Sequence, residues 1–234
     1  SNPPIVGISP AFNGKTGDPK NTLTNILDTK EFTLSIVTHD MVEQMNICAA
    51  NYESTVDEFN KSGLTKYNGN HVSVPGVAES PLILECKLLQ HIQLSDKPAG
   101  GNLLLGEIIC FHAHKDIYDD IGNIDPIKVD QVSRLGKNWY SRANQGLFDL
   151  PAPRFLPIGV DSLPLEVKNC SYFSGKLLAR LAYVQSVPKI DESFDLKEKF
   201  INLNKDDLLK NCANLLENKQ VQDAWQLLHL GKII

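Results

Sequence analysis

The sequence predicts a mainly β domain with helices, of the α+β class and barrel-sized, followed by a helical C-terminal extension. Three observations carry this expectation. Two long strand-like runs, LILECKLLQHIQL over 82–94 and LLLGEIICFHAH over 103–114, flank the turn-forming stretch from Ser95 to Asn102 and read as an antiparallel hairpin. Pro151, Pro153 and Pro157 then mark a boundary, beyond which strand patterns give way to helical ones. The length of 234 residues suits one such domain plus an appendage. We expect residues 1–153 to form the first domain and 154–234 the extension.

Taken in order, Ile5 to Ser9 is a short apolar run fit for a buried strand. Phe12 to Lys20 is rich in Asn, Gly, Asp and Pro and reads as a loop. Pro19 stiffens a turn before a short helix whose apolar residues are Leu23, Ile26 and Leu27, with Asn21 or Thr22 as its cap. A strand follows at Phe32–Val37, and Thr38 and Asp40 can start a second helix through Met45 to Ala49. Ser54 to Phe59 suggests a further capped helical turn closing at Gly63, and Leu64–Gly76 is polar and turn-rich. After the hairpin, Pro126 sits at an allowed first-turn position of a short helix, and Arg134–Phe148 returns to extended structure. In the extension, Ser174–Val187 carries Leu177, Leu178, Leu181 and Val184 on one helical face. Asn204 is placed to cap a helix through Leu216, with Asp206 and Asp207 in its favourable first turn, and a last helix runs near Gln220–Leu230.

Composition excludes several classes. The hydrophobic fraction of 42% is that of a folded domain. A net charge of −5 argues against nucleic acid as a partner. No apolar run approaches 18 residues, so no membrane span is expected. The five cysteines are odd in number, scattered and without a CxxC pair, which fits reduced thiols in a cytoplasmic protein. Neither a nucleophile elbow nor a glycine-rich dinucleotide or P-loop motif is present. That argues against a Rossmann fold, while leaving transient use of a nicotinamide open.

The residues that can carry chemistry are few. Lys20 and Thr22 place an ammonium and a hydroxyl beside a helix start, whose free N–H groups favour an anion such as a phosphate. The same residues also fit a plain capped helix with an exposed lysine. His112 and His114 share one strand face and make half of a metal site, but with no clear third ligand no metal is expected. Trp139 and Tyr140 can cover a flat ring or close the core. Arg134 can pair with a carboxylate or a ligand phosphate, and Phe148 can line a pocket or anchor the chain before Pro151.

The collinear order of Asn2-Pro3-Pro4-Ile5-Val6-Gly7-Ile8-Ser9, Lys20-Asn21-Thr22-Leu23, Glu31-Phe32, Glu43-Gln44-Met45-Asn46 and Val56-Asp57-Glu58-Phe59 resembles the flavin reductase-like family. So do Glu79-Ser80-Pro81 with Leu84-Glu85-Cys86, Leu105-Gly106-Glu107-Ile108, and Arg134-Leu135-Gly136 with Trp139-Tyr140. The resemblance runs from residue 2 to about residue 153 and implies an FMN-binding split barrel, commonly a homodimer with flavin near the subunit interface. It implies that Lys20, Asn21 and Thr22 lie near the FMN phosphate. Asn21 replaces a more usual aspartate, which removes a negative charge beside a dianion. Asn46 falls where it can bond the ribityl chain or phosphate, or simply be an exposed helix residue. His112 is at a recurrent histidine that touches the flavin edge or phosphate, unless it is a wall residue satisfied by backbone. Tyr140 belongs to the same set. The resemblance further implies strands preceding Ser1 that help to surround the flavin ring. The activity it implies is hydride transfer from NADH or NADPH to FMN, with electrons passed to free flavin, a partner oxygenase or another acceptor. An FMN electron carrier with little reductase activity, and a flavin-free interaction protein, are the alternatives.

Overall fold

The hairpin foreseen at residues 82–114 is the spine of the first half of the chain. In the computed structural model, which describes residues 2–194, 200 and 202–234, it consists of β5 (Leu82–Gln93) and β6 (Asn102–Ala113). The first strands are β1 (Ile5–Ile8) and β2 (Glu31–Ser35), and all four form one antiparallel sheet in the order β1-β6-β5-β2. Glu85 faces Cys110 and Ile83 faces His112 across the β5–β6 ladder, with register shifts between Glu85 and Cys86 and between Leu88 and Gln90. Two small hairpins complete the strands: β3 (Lys66–Tyr67) with β4 (Gly76–Val77), and β7 (Val132–Gly136) with β8 (Trp139–Arg142).

Helix α1 (Asn21–Thr29) buries Leu23 and Ile26 against Phe32, Cys86 and Leu104, with Val6, Ile8 and Ile108 around them. The aromatic ring of Phe32 packs on Gly106. A Cβ at position 106 would come within 2.4 Å of Phe32 Cζ, so glycine is required for this contact. The start of α1 differs from expectation. Neither Asn21 nor Thr22 caps it; Lys20 occupies the cap position in extended conformation without a side-chain bond, and the Asn21 amide instead donates to the Tyr52 carbonyl at 3.2 Å. Helix α2 (Val42–Cys48) likewise begins after Met41 without a side-chain cap, later than Thr38 or Asp40 would place it. Helix α3 (Glu58–Ser62) is capped by Asp57, whose carboxylate accepts from Phe59 N–H at 3.0 Å. Helix α4 (Pro126–Val129) carries proline in its first turn, as the sequence indicates, and is capped by Asp125.

The chain divides into two compact units, the first ending at Phe148 and the second beginning at Asp149. The second unit is helical and has its own core. It contains α5 (Leu165–Lys168), α6 (Gly175–Ala182), α7 (Lys205–Glu217) and α8 (Val221–Leu230). Ser174 and Asn204 cap α6 and α7 through bonds to the backbone N–H groups of Leu177 and Asp207. Leu181, Cys212, Leu216, Trp225 and Leu227 are fully buried together. The Trp225 indole N–H donates to the Leu181 carbonyl at 3.1 Å, so the ring is buried with its one polar atom satisfied. All five cysteines are free thiols. Burial pushes the thiol of Cys86 up to about 11 and that of Cys212 up to about 12, which makes both small hydrophobic fillers. No helix among the described residues is long and apolar enough to cross a membrane.

Candidate functional site

Two places in the first unit hold the groups that sequence reasoning singles out. The first is the start of α1. Lys20, Asn21 and Thr22 are all exposed there. The N–H of Leu23 is already bonded to the Lys20 carbonyl at 2.9 Å, which leaves the N–H groups of Asn21 and Thr22 as the open donors of the first turn. An Asn21 amide N–H is turned to Tyr52, and beside it stand the Lys20 ammonium and the Thr22 hydroxyl. An ammonium, a hydroxyl and two backbone N–H groups at the positive end of a helix dipole form a donor set for a dianion.

The second place is built around Glu85. Its neighbours on β5 are apolar, yet its carboxylate is completely buried. The strand pairing puts Glu85, Cys110 and His112 on one face of the sheet. The segment after β3 lies over that face. Gly69 lets it come close, since a Cβ there would fall 2.6 Å from the Glu85 carboxyl carbon. This approach delivers three backbone N–H groups to the carboxylate: Asn70 at 2.9 Å, His71 at 2.7 Å and Val72 at 2.8 Å. His112 Nε2 completes the shell with a very short contact to Oε1. Burial works to raise the Glu85 carboxyl, but the bonds from His112 and the three N–H groups prevail and hold it at about 2. On the other side of the imidazole ring, Tyr67 Oη is 3.1 Å from His112 Nδ1.

Tyr67 and His112 line a cavity of about 400 Å³, with Ser80, Ile83, Phe111, Ala113, His114 and Tyr118 completing its wall. Ser80 faces it with its hydroxyl already donated to backbone carbonyls at 2.8 Å. Glu85, Cys110 and His112 also bring an oxygen, a sulfur and a nitrogen within 4.8 Å of one another, a spacing that a metal ion can bridge. The carboxylate already has four hydrogen-bond donors, however, and a proton between Glu85 and His112 satisfies both groups. His114 does not join this set and stands exposed at the cavity rim.

The other sequence-derived residues lie elsewhere. Asn46 is exposed on α2. Tyr140 is half-buried on β8, opposite Arg134, whose guanidinium sits 6.0 Å from the ring centroid. That hairpin is anchored by Arg142, which grips Asp130 with two bonds of 2.7 and 2.6 Å. Trp139 and Phe148 are 74% and 83% exposed, so neither closes the core. No hydrogen bond or ion pair joins the α1 start, the His112 group and the β7–β8 hairpin among the described residues. Glu85 and Tyr67 are the residues that sequence reasoning missed. A charged residue amid apolar strand neighbours was the available signal for Glu85, because such a charge needs partners; nothing local marks Tyr67.

Comparison with known proteins bears on what these places serve. Residues 1–126 match the model of the flavin reductase like domain. The chain is 32% identical over 149 residues to the protein YwrF of Bacillus subtilis (strain 168), covering 62% of this chain and 71% of that protein. It is 31% identical over 141 residues to a protein of Aquifex aeolicus (strain VF5), covering 60% and 69%. Among solved structures, nitrilotriacetate monooxygenase component B from Bacillus cereus is similar with a TM-score of 0.58 and 29% identity, over 64% of this chain and 73% of that one. Flavoredoxin of Desulfovibrio vulgaris (Miyazaki F) is similar with a TM-score of 0.51 and 26% identity, over 66% and 75%. A protein with a split barrel domain from Shewanella frigidimarina NCIMB 400 gives 0.55 and 28%, over 64% and 72%. The fold of the matched region is therefore that of the split barrels.

Proposed function

Because the chain belongs to the flavin reductase-like family, we propose that it binds FMN and acts as a flavin-dependent oxidoreductase, taking hydride from NADH or NADPH. The observation that carries the reading is the α1 start. Its ammonium, hydroxyl and open N–H groups match the charge and acceptor count of a flavin phosphate, and α1 itself is fixed by Leu23 and Ile26 in the core. Bound FMN supplies the two-electron chemistry of its ring. The residues of the chain bind and orient it: Lys20 and Thr22 hold the phosphate, and Asn21 braces the loop through Tyr52. We assign Asn46 to the ribityl chain or phosphate, Tyr140 to the ring, and His112, whose two nitrogens are taken by Glu85 and Tyr67, to packing at the flavin edge.

Electrons then pass to free flavin or to a partner protein. A protein of similar fold is named as component B of a monooxygenase, which supports a partner oxygenase as recipient. We further propose a homodimer and a cytoplasmic location, the latter in keeping with five free thiols.

The test is flavin titration by absorbance and fluorescence. Lys20→Ala combined with Thr22→Ala is expected to weaken FMN binding about 10- to 100-fold, the range for lost hydrogen bonds involving a charged group, and to leave riboflavin binding unchanged. Equal losses for both ligands would overturn the clamp. Anaerobic mixing of the FMN-loaded protein with NADH or NADPH should bleach the flavin band; a band that persists with both leaves an electron carrier rather than a reductase.

A further inference from the structure

Glu85 is a full negative charge with no exposure, and its neighbours fix more than its own position. Nε2 of His112 meets the carboxylate and Nδ1 meets the Tyr67 phenol, so the tautomer that carries its proton on Nε2 leaves Nδ1 to accept from Tyr67. The order hydroxyl, imidazole, carboxylate is the arrangement that prepares a hydroxyl for proton exchange: the imidazole takes the proton, and the carboxylate orients the ring and balances its charge. Tyr67 and His112 both face the cavity of about 400 Å³, whose remaining wall includes Ile83 and Tyr118 beside the polar residues Ser80 and His114. A hollow of that size and lining suits a molecule of one or two rings bearing an oxygen for Tyr67 to meet.

We propose that Tyr67, His112 and Glu85 form a proton relay for a second ligand in this cavity, a small aromatic molecule of the phenol–quinone class. A phenolic O–H of the ligand gives its proton to Tyr67 Oη while the Tyr67 proton moves to His112 Nδ1. One O–H bond breaks on the ligand, one is exchanged on Tyr67 and one N–H bond forms on the ring; the Glu85 carboxylate offsets the imidazolium. In the reverse direction, an imidazolium charged from solvent returns the proton through Tyr67 to the oxyanion left when a quinone accepts hydride. Quinone, hydride and proton together give the hydroquinone. The hydride comes from reduced flavin, so this redox half rests on the function proposed above, whereas the proton half does not.

The experiment uses the full chain without flavin and 4-nitrophenol as the probe, followed by the absorbance of its phenolate form at a pH where the free probe is mostly neutral. The relay predicts a phenolate band from bound probe. Tyr67→Phe, which removes one oxygen and keeps the ring, is expected to abolish the band and weaken binding about tenfold, the worth of one good hydrogen bond to a charged group. Glu85→Gln should lose the band as well. In parallel, ¹⁵N NMR of His112 should show the Nε2–H tautomer alone and protonation of both nitrogens when the probe binds. A probe that stays neutral, or does not bind, or ionises equally on Tyr67→Phe protein of unchanged circular dichroism, overturns the relay. FMN is titrated into the same samples. A phenolate band without FMN binding overturns the flavin reading alone, and FMN binding without the band overturns the relay alone.

Discussion

Glu85 shows how a single residue can tie a loop, a sheet face and a cavity together. Its carboxyl sits at about 2 in the fold against an ordinary value of 4.5. Because the folded value is the lower one, protonation favours the unfolded chain. The stabilisation is complete above about pH 4.5 and disappears as the pH falls towards 2. Glu85→Gln should cost about 3–5 kcal/mol at neutral pH, the usual loss when one partner of a buried pair is removed. It should also flatten the acid-unfolding curve between those two pH values, as measured by urea denaturation followed by circular dichroism. The sequence places Glu85 on a strand and names His112, but it does not bring them together. Their meeting depends on β5–β6 register, and the three N–H donors come from a segment whose path over the sheet no local pattern encodes.

At the scale of elements, periodicity and end signals were the legible part. Strands β5 and β6 fall within about a residue of the apolar runs, and Asn204 caps α7 as its position before Asp206 and Asp207 indicates. Asn204→Ala should lower stability by about 1 kcal/mol through loss of the bond to Asp207 N–H, read as a drop in the thermal midpoint of the helical signal. Leu23→Ala, which opens a hole between α1 and the sheet, should cost about 2–5 kcal/mol and carry the proposed phosphate site with it. The α1 cap was misread for a physical reason. Asn21 has the right chemistry for a cap, but the chain turns into the helix one residue earlier: Lys20 holds the extended cap conformation and Asn21 is already helical. The register shifts in the β5–β6 ladder, at Glu85/Cys86 and Leu88/Gln90, interrupt apolar runs in which no residue type marks them.

At the scale of the molecule, the chain carries two cores and one tryptophan for each unit. Trp225 is fully buried in the helical unit and Trp139 is 74% exposed on β8. Replacing Trp139 by Phe should therefore leave a protein whose emission is blue-shifted and moves red only when the helical unit opens, while the wild type shows an added solvent-exposed component throughout. A red-shifted native spectrum in that variant would contradict the buried indole. The Phe32–Gly106 contact reaches further than one molecule. A ring edge rests where a side chain at 106 would start, so the two positions share a single allotment of space. A lineage carrying this sheet cannot enlarge residue 106 without first, or at the same time, shrinking residue 32, and across its descendants the two sites should drift as a linked pair, with aromatic residues at one met by glycine at the other.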